Sequence, residues 1–190
     1  MGSGAIPVGL DYPFAVQGKS TSAVARSAPA LLRVATQEDL DALYEVELAC
    51  FQEHRFRKDH LGWILTNEKA LTLVEETKEG KLLGALMLLF EGAACRVLSV
   101  AVVPEARRRG IGTKMMQATE DAARERGSSV VRLEVSTQNL GAVEFYRGLG
   151  YRTDGVLYGY YSWGEDAYSM TRYVAPNVDA GRTRRGRRAG

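Results

Sequence analysis

Residues 97–103 form an apolar, β-branched run that stops at Pro104, and residues 107–113, Arg-Arg-Arg-Gly-Ile-Gly-Thr, follow immediately before a helical pattern. A strand that turns through two glycines into a helix fixes a strand–turn–helix unit and restricts the fold to α/β architectures. Glycines at 110 and 112 allow a tight turn and a close backbone approach, and the first amides of the helix have no intrahelical acceptors. Together with the helix dipole they suit an anion such as a phosphate.

Spacing excludes two familiar phosphate loops. A P-loop requires Lys-Ser or Lys-Thr directly after its second glycine, whereas Gly112 is followed by Thr113 and then Lys114. A dinucleotide fingerprint requires a small residue three positions after Gly112, where Met115 stands. What remains is Arg107-x-x-Gly110-x-Gly112, which resembles the acetyl-CoA loop of the GNAT acyltransferase superfamily. The resemblance implies that the backbone of Arg107, Arg108, Arg109, Gly110, Ile111, Gly112 and Thr113 holds the pyrophosphate. It also implies that the strand edge at Val100, Ala101, Val102 and Val103 pairs with the pantetheine arm and offers an amide to the thioester oxygen.

The remaining pattern predicts one mixed, mostly antiparallel sheet flanked by helices. Strands are expected at 31–34, 70–75, 81–90, 95–103, 130–135, 151–158 and 167–174. Thr36 with Asp39 reads as a helix start, with Leu40, Leu43, Tyr44, Leu48 and Phe51 on one stripe. Further helices are expected at 58–66, from 111 to about 127 and at 139–149. The order β, α, α, β, β, β, α, β, α, β, β is also that of the GNAT fold, and the resemblance covers residues 31–175.

The ends differ from this body. Residues 1–30 are rich in Gly, Ser, Ala and Pro without a sustained period, which predicts a flexible extension. Residues 176–190 hold five arginines and one aspartate, a charge of +4 within a total of +2, so they are expected to be a disordered basic tail beside a mildly acidic body. No segment approaches the roughly 20 apolar residues of a membrane span, and no basic region followed by an apolar block marks a secretory signal. The expectation is a cytoplasmic protein, with Cys50 and Cys95 as buried free thiols. His54 and His60 lack metal-ligand spacing, so no metal is expected.

A second segment, Leu133-Glu134-Val135, leads to Asn139 and, seven residues on, Tyr146. Seven residues are close to two helical turns, so Asn139 and Tyr146 share a face. The segment resembles that of RimI- and Ard-type protein N-terminal acetyltransferases. By that resemblance Asn139 hydrogen-bonds pantetheine, Tyr146 protonates the departing thiolate and Glu134 is the general base. Partial burial of Glu134 would raise its pKa into a useful range. On residue pattern alone, Tyr146 also reads as a half-buried aromatic and Glu134 as a solvent-facing strand residue.

The segment 158–170 resembles the Tyr-Tyr-x-x-Gly-Glu-Asp-Ala hairpin of the same families, which implies that Tyr158, Tyr160 and Tyr161 clamp a peptide. Gly159 stands where Asn often precedes the tyrosine pair, and Trp163 replaces a frequently acidic position. The loop at 51–57 takes the place of the substrate-facing loop, lacks its usual proline, and carries Glu53 as a candidate second carboxylate. The resemblance therefore implies acetyl transfer from acetyl-CoA to the N-terminal α-amine of a protein or peptide. Alternatives are lysine acetylation and a non-catalytic acyl-CoA-binding module. The arginine tail adds a candidate contact to ribosomal or other RNA.

Overall fold

The computed structural model describes residues 31–175; the expected extension at 1–30 and basic tail at 176–190 lie outside the described residues. Seven strands form one sheet in the order β1-β2-β3-β4-β5-β7-β6. They are β1 (Leu31–Val34), β2 (Ala70–Glu76), β3 (Leu82–Glu91), β4 (Ala94–Val102), β5 (Val130–Ser136), β6 (Arg152–Leu157) and β7 (Ala167–Tyr173). The helices are α1 (Leu40–Phe51), α2 (Lys58–Thr66), α3 (Ile111–Glu125) and α4 (Leu140–Gly148). All neighbouring strands are antiparallel except β4 and β5. Each expected element is present.

Local chemistry sets the boundaries. The Asp39 carboxylate accepts the Thr36 amide at 2.7 Å before α1 begins, and Arg33 binds the same carboxylate and Glu76, tying that turn to β1 and β2. Gly127, with φ 77°, follows the end of α3, and Gly150, with φ 87°, follows α4. The stripe of α1 differs from expectation. Leu43, Val46, Glu47, Cys50 and Phe51 are buried, whereas Leu48 is turned outward.

The two faces of the sheet carry different helices. Ser99 of β4 touches Glu47 of α1, while a Cβ built on Gly84 of β3 would meet Met115 of α3 at 3.1 Å. Met87, the cross-strand partner of Ser99, is three residues from Gly84 and so points the other way. Hence α1 and α3 cover opposite faces, and Leu86, Leu88, Met115, Leu133 and Met170 fill the layers between, each 1% exposed or less. Cys50 and Cys95 are buried and free. Among the described residues no helix is long and apolar enough to cross a membrane.

Candidate active site

The site begins where the sheet comes apart. Strands β4 and β5 pair only from Ala94↔Val130 to Arg96↔Arg132, and beyond Arg96 the β5-facing edge of β4 has no strand partner among the described residues. The β3–β4 register also shifts between Met87 and Leu88, which leaves Leu98 as the extra residue of a bulge. The bulge puts Arg96 and Ser99, three residues apart, on one face, because their cross-strand partners are Leu89 and Met87. A wedge with an open strand edge fits an extended amide-bearing chain such as pantetheine.

At the end of β4, Val103 donates its N–H to Leu83 O at 3.0 Å, and Val102 O accepts from Arg107 Nε at 2.9 Å. Val100, Ala101 and Val103 are buried. The turn that follows contains two left-handed residues, Arg108 (φ 63°) and Gly110 (φ 82°), and delivers the chain into α3 at Ile111. Alternating right- and left-handed residues turn successive amides to one side, and Ile111, Gly112 and Thr113 lie in the helix turn whose amides lack intrahelical acceptors. These residues fit a pyrophosphate. The arginine side chains turn back on the protein: Arg107 to Val102 O, and Arg109 to Glu105 O at 2.7 Å. Gly112 meets a different demand, since a Cβ there would lie 3.4 Å from Phe145 Cζ, so its bareness lets α3 approach α4.

On the α1 face, Glu134 is tied down rather than alone. One carboxylate oxygen accepts from Arg96 Nε at 3.0 Å and lies 2.9 Å from its terminal nitrogen. The other lies 3.3 Å from Arg132 Nε, an ion pair without hydrogen-bond geometry. The Glu134 side chain is 8% exposed, so the solvent-facing alternative does not hold, and the carboxylate is a member of an ion network with Arg96 and Arg132. Burial works against the Arg96 charge, but Glu134 and the Tyr160 hydroxyl outweigh it and raise the guanidinium pKa. Arg96 also donates to Tyr160 Oη at 2.7 Å.

The segment between β6 and β7 closes over this cluster. Asp166 accepts the Gly159 amide at 2.7 Å, and Glu165 hydrogen-bonds Ser136 at the end of β5. The Tyr161 ring stacks on Trp163 at 4.5 Å, and Tyr160 meets Tyr161 edge-on at 5.0 Å. Trp163 in turn lies 3.9 Å from His54, centroid to centroid, so the segment and the 52–57 loop touch. Tyr160 and Tyr161 join the site, whereas Tyr158 is 84% exposed and stands apart. Glu53 is also apart: its side chain is 75% exposed and lines an outer concavity with Tyr44, Arg55 and Lys58.

Asn139 and Tyr146 lie on α4, beside the wedge. Asn139 Oδ1 accepts the Ala142 amide at 3.1 Å and caps α4, which leaves its Nδ2 as the group able to donate to a ligand. Tyr146 is 4% exposed and meets Tyr151 edge-on at 5.9 Å. Burial raises the phenol pKa above its ordinary value, so the hydroxyl keeps its proton.

Three residues of this region were not singled out from sequence, Arg96, Ser99 and Glu47, and the pairing of His54 with Trp163 was not foreseen. Glu47 is wholly buried, and burial pushes its carboxyl up to about 7. A visible signal existed in its place on the α1 stripe, four residues after Leu43 and four before Phe51.

The Acetyltransferase (GNAT) family model matches residues 37–151. The N-terminal acetyltransferase A complex catalytic subunit NAA10 of Arabidopsis thaliana is 32% identical over 147 residues, covering 74% of this chain and 76% of that protein. An N-alpha-acetyltransferase of Sulfurisphaera tokodaii is 44% identical over 75 residues, 39% of this chain, and the match spans just under half of that relative, 45%. Among solved structures, Ard1 from Thermoplasma volcanium superimposes with a TM-score of 0.67 at 27% identity, covering 77% of this chain and 98% of that one. The ribosomal-protein-S18-alanine N-acetyltransferase from Escherichia coli shares the fold, with a TM-score of 0.70 at 23% identity over 77% of this chain and 95% of that one.

Proposed function

The chain belongs to the GNAT family of acetyltransferases, and from that premise we propose that it transfers the acetyl group of acetyl-CoA to the N-terminal α-amine of a protein or peptide. The observation that carries this choice of acceptor is the contact between His54 and Trp163, which joins the 52–57 loop to the 158–166 segment above Arg96 and Glu134. A slot bounded on both sides admits a chain end more readily than a lysine with backbone running away in two directions. Relatives named for α-amine acetylation support the same acceptor.

Bound acetyl-CoA supplies an activated thioester. The unpaired edge of β4 hydrogen-bonds the pantetheine amides, Asn139 Nδ2 adds a donor, and the amides of residues 108–113 hold the pyrophosphate. Arg96 and Arg132 orient Glu134, which takes the proton released as the amine nitrogen bonds to the acetyl carbon. The carbon–sulfur bond breaks, and Tyr146 passes its proton to the departing thiolate, recovering one from solvent afterwards. An α-ammonium, with a pKa of about 8, needs far less help to deprotonate than a lysine at about 10.4. Tyr160 and Tyr161 contact the first peptide units, and the arginines of the 182–188 segment contact RNA, a property tested by salt-dependent RNA binding of a chain lacking residues 181–190.

The deciding experiment uses two peptides that differ only in a blocked or free N-terminus and carry one internal lysine. Mass spectrometry should find the acetyl group on the free α-amine, with little reaction of the blocked twin. Equal or faster modification of the lysine in the blocked peptide would overturn the assignment.

A further inference from the structure

Acetyl transfer as described leaves three buried carboxylates unused; Glu75 pairs with Lys114 and Glu120 with Arg124 and Arg172, whereas Glu47 is held by hydrogen bonds. Glu47 of α1 is 0% exposed, on a stripe otherwise made of Leu43, Val46, Cys50 and Phe51. One oxygen accepts from Ser99 Oγ at 2.9 Å and the other from the Phe56 amide at 3.2 Å. Those partners belong to the two structures that shape the acceptor side. Ser99 follows the β4 bulge and shares a face with Arg96, while Phe56 closes the loop that carries His54.

Among the described residues no cation compensates this carboxylate, and the two hydrogen bonds offset its burial. The charged groups around it are engaged elsewhere. Arg96 on β4 binds Glu134 and Tyr160, Arg55 in the loop binds Tyr44 and Gln52 O, and Arg57 binds Asp59 of α2. His54 lies against Trp163, and His60 is half-buried on α2. Cys50, three residues along α1, is kept a thiol by burial, with Arg107 at its sulfur. A buried carboxylate without a counter-charge costs stability that an amide or an apolar residue would not, and such costs concentrate at working sites.

We propose that Glu47 is a positioning residue: it ties the acceptor-side loop to the β4 bulge and orients the Ser99 hydroxyl. While Glu47 is ionised, Ser99 donates to it and keeps its lone pairs to accept from an incoming amine. Once Glu47 is protonated, the carboxyl O–H donates to Ser99 instead, and the hydroxyl hydrogen turns outward. Glutamine mimics this second state, since it offers an acceptor to Phe56 N–H and a donor to Ser99 Oγ. The kinetic part of the test rests on the α-amine reading above; the spectroscopic part does not.

The test follows the Phe56 and Ser99 amides of the full chain by NMR between pH 5 and 9, alongside peptide turnover of wild type, Glu47→Gln, Ser99→Ala and the double variant. Both amides should titrate with one midpoint in wild type and stay flat in Glu47→Gln. Glu47→Gln should keep its fold and acetyl-CoA affinity while its kcat/KM deficit grows with pH, to about tenfold at pH 8. The double variant should be no worse than Ser99→Ala alone, because Glu47 acts through Ser99. Amides that do not titrate together, a deficit that is flat in pH, or additive losses would each overturn the proposal. If wild type acetylates no peptide amine, the functional reading fails, and the amide titration still decides whether Glu47 links the loop to the bulge.

Discussion

The imidazole of His54 lies 3.9 Å from the indole of Trp163, centroid to centroid, with a tilt of 39°. It is a contact between the loop after α1 and the segment between β6 and β7 rather than within either. Trp163 continues through Tyr161 to Tyr160, whose hydroxyl accepts from Arg96. A ladder of rings therefore runs from the loop after α1 to the ion network around Glu134.

Removing a ring from that ladder should loosen the slot without touching the cofactor side. An aromatic pair of this kind contributes about 0.5 to 1.5 kcal/mol. His54→Ala and Trp163→Ala should accordingly raise the KM for peptide by roughly two- to tenfold. Calorimetry should find acetyl-CoA affinity unchanged. A peptide KM that stays at the wild-type value in both variants would mean that the contact does not bound the slot.

Tyr146→Phe keeps the buried ring and removes only the hydroxyl, so turnover should fall by about 10²- to 10⁴-fold with acetyl-CoA affinity preserved. Glu134→Gln should cost turnover as well, and its deficit should shrink at high pH, where the α-amine loses its proton unaided. It should also lower the melting temperature, since Arg96 and Arg132 lose their shared counter-charge. Wild-type rates at pH 7 in both variants would remove the assigned proton transfers.

The two glycines of the turn should respond differently. Gly110 has φ 82° with no atom of the described residues within 4 Å of an added Cβ, so Gly110→Ala incurs chiefly a backbone penalty of about 1 kcal/mol. At Gly112 a Cβ meets Phe145 at 3.4 Å, and the larger side chain of Val must push α4 away. Gly112→Val should therefore weaken acetyl-CoA binding by displacing α4, and Phe145→Ala should restore part of it. If Phe145→Ala gives no recovery, obstruction of the anion itself is the cause.

Strands, helices and the strand–turn–helix unit were legible because each is written in local order: alternating or continuous apolar runs, a Pro after β4, and Gly at the ends of α3 and α4. Glu134 and Tyr146 were legible only through their resemblance to a family motif. The networks around them were not, because Arg96 lies 38 residues from Glu134 and 64 from Tyr160, and Ser99 lies 52 from Glu47. The bulge at Leu98, which brings Arg96 and Ser99 onto one face, leaves no mark in the residue types of β4. Leu48 was expected on the buried stripe and Tyr158 in the clamp, yet their exposures are 39% and 84%. Helical periodicity places a residue only to within a fraction of a turn, and a hairpin motif does not say which rings face inward.

Glu47 should also leave a mark on stability. Its carboxyl titrates at about 7 in the folded chain against 4.5 for the ordinary group, raised by burial. The folded state therefore binds this proton more tightly than the unfolded state. The stability that comes with it is fully present below about 4.5 and is lost as pH rises through about 7. The full shift corresponds to about 3 kcal/mol. Glu47→Gln, a permanent stand-in for the protonated form, should melt close to wild type at pH 5 and several degrees higher at pH 8. Thermal denaturation of the two proteins across that range is the measurement. A variant that melts below wild type at pH 8, or by the same margin at both pH values, would show that the ionised carboxylate does not destabilise the fold.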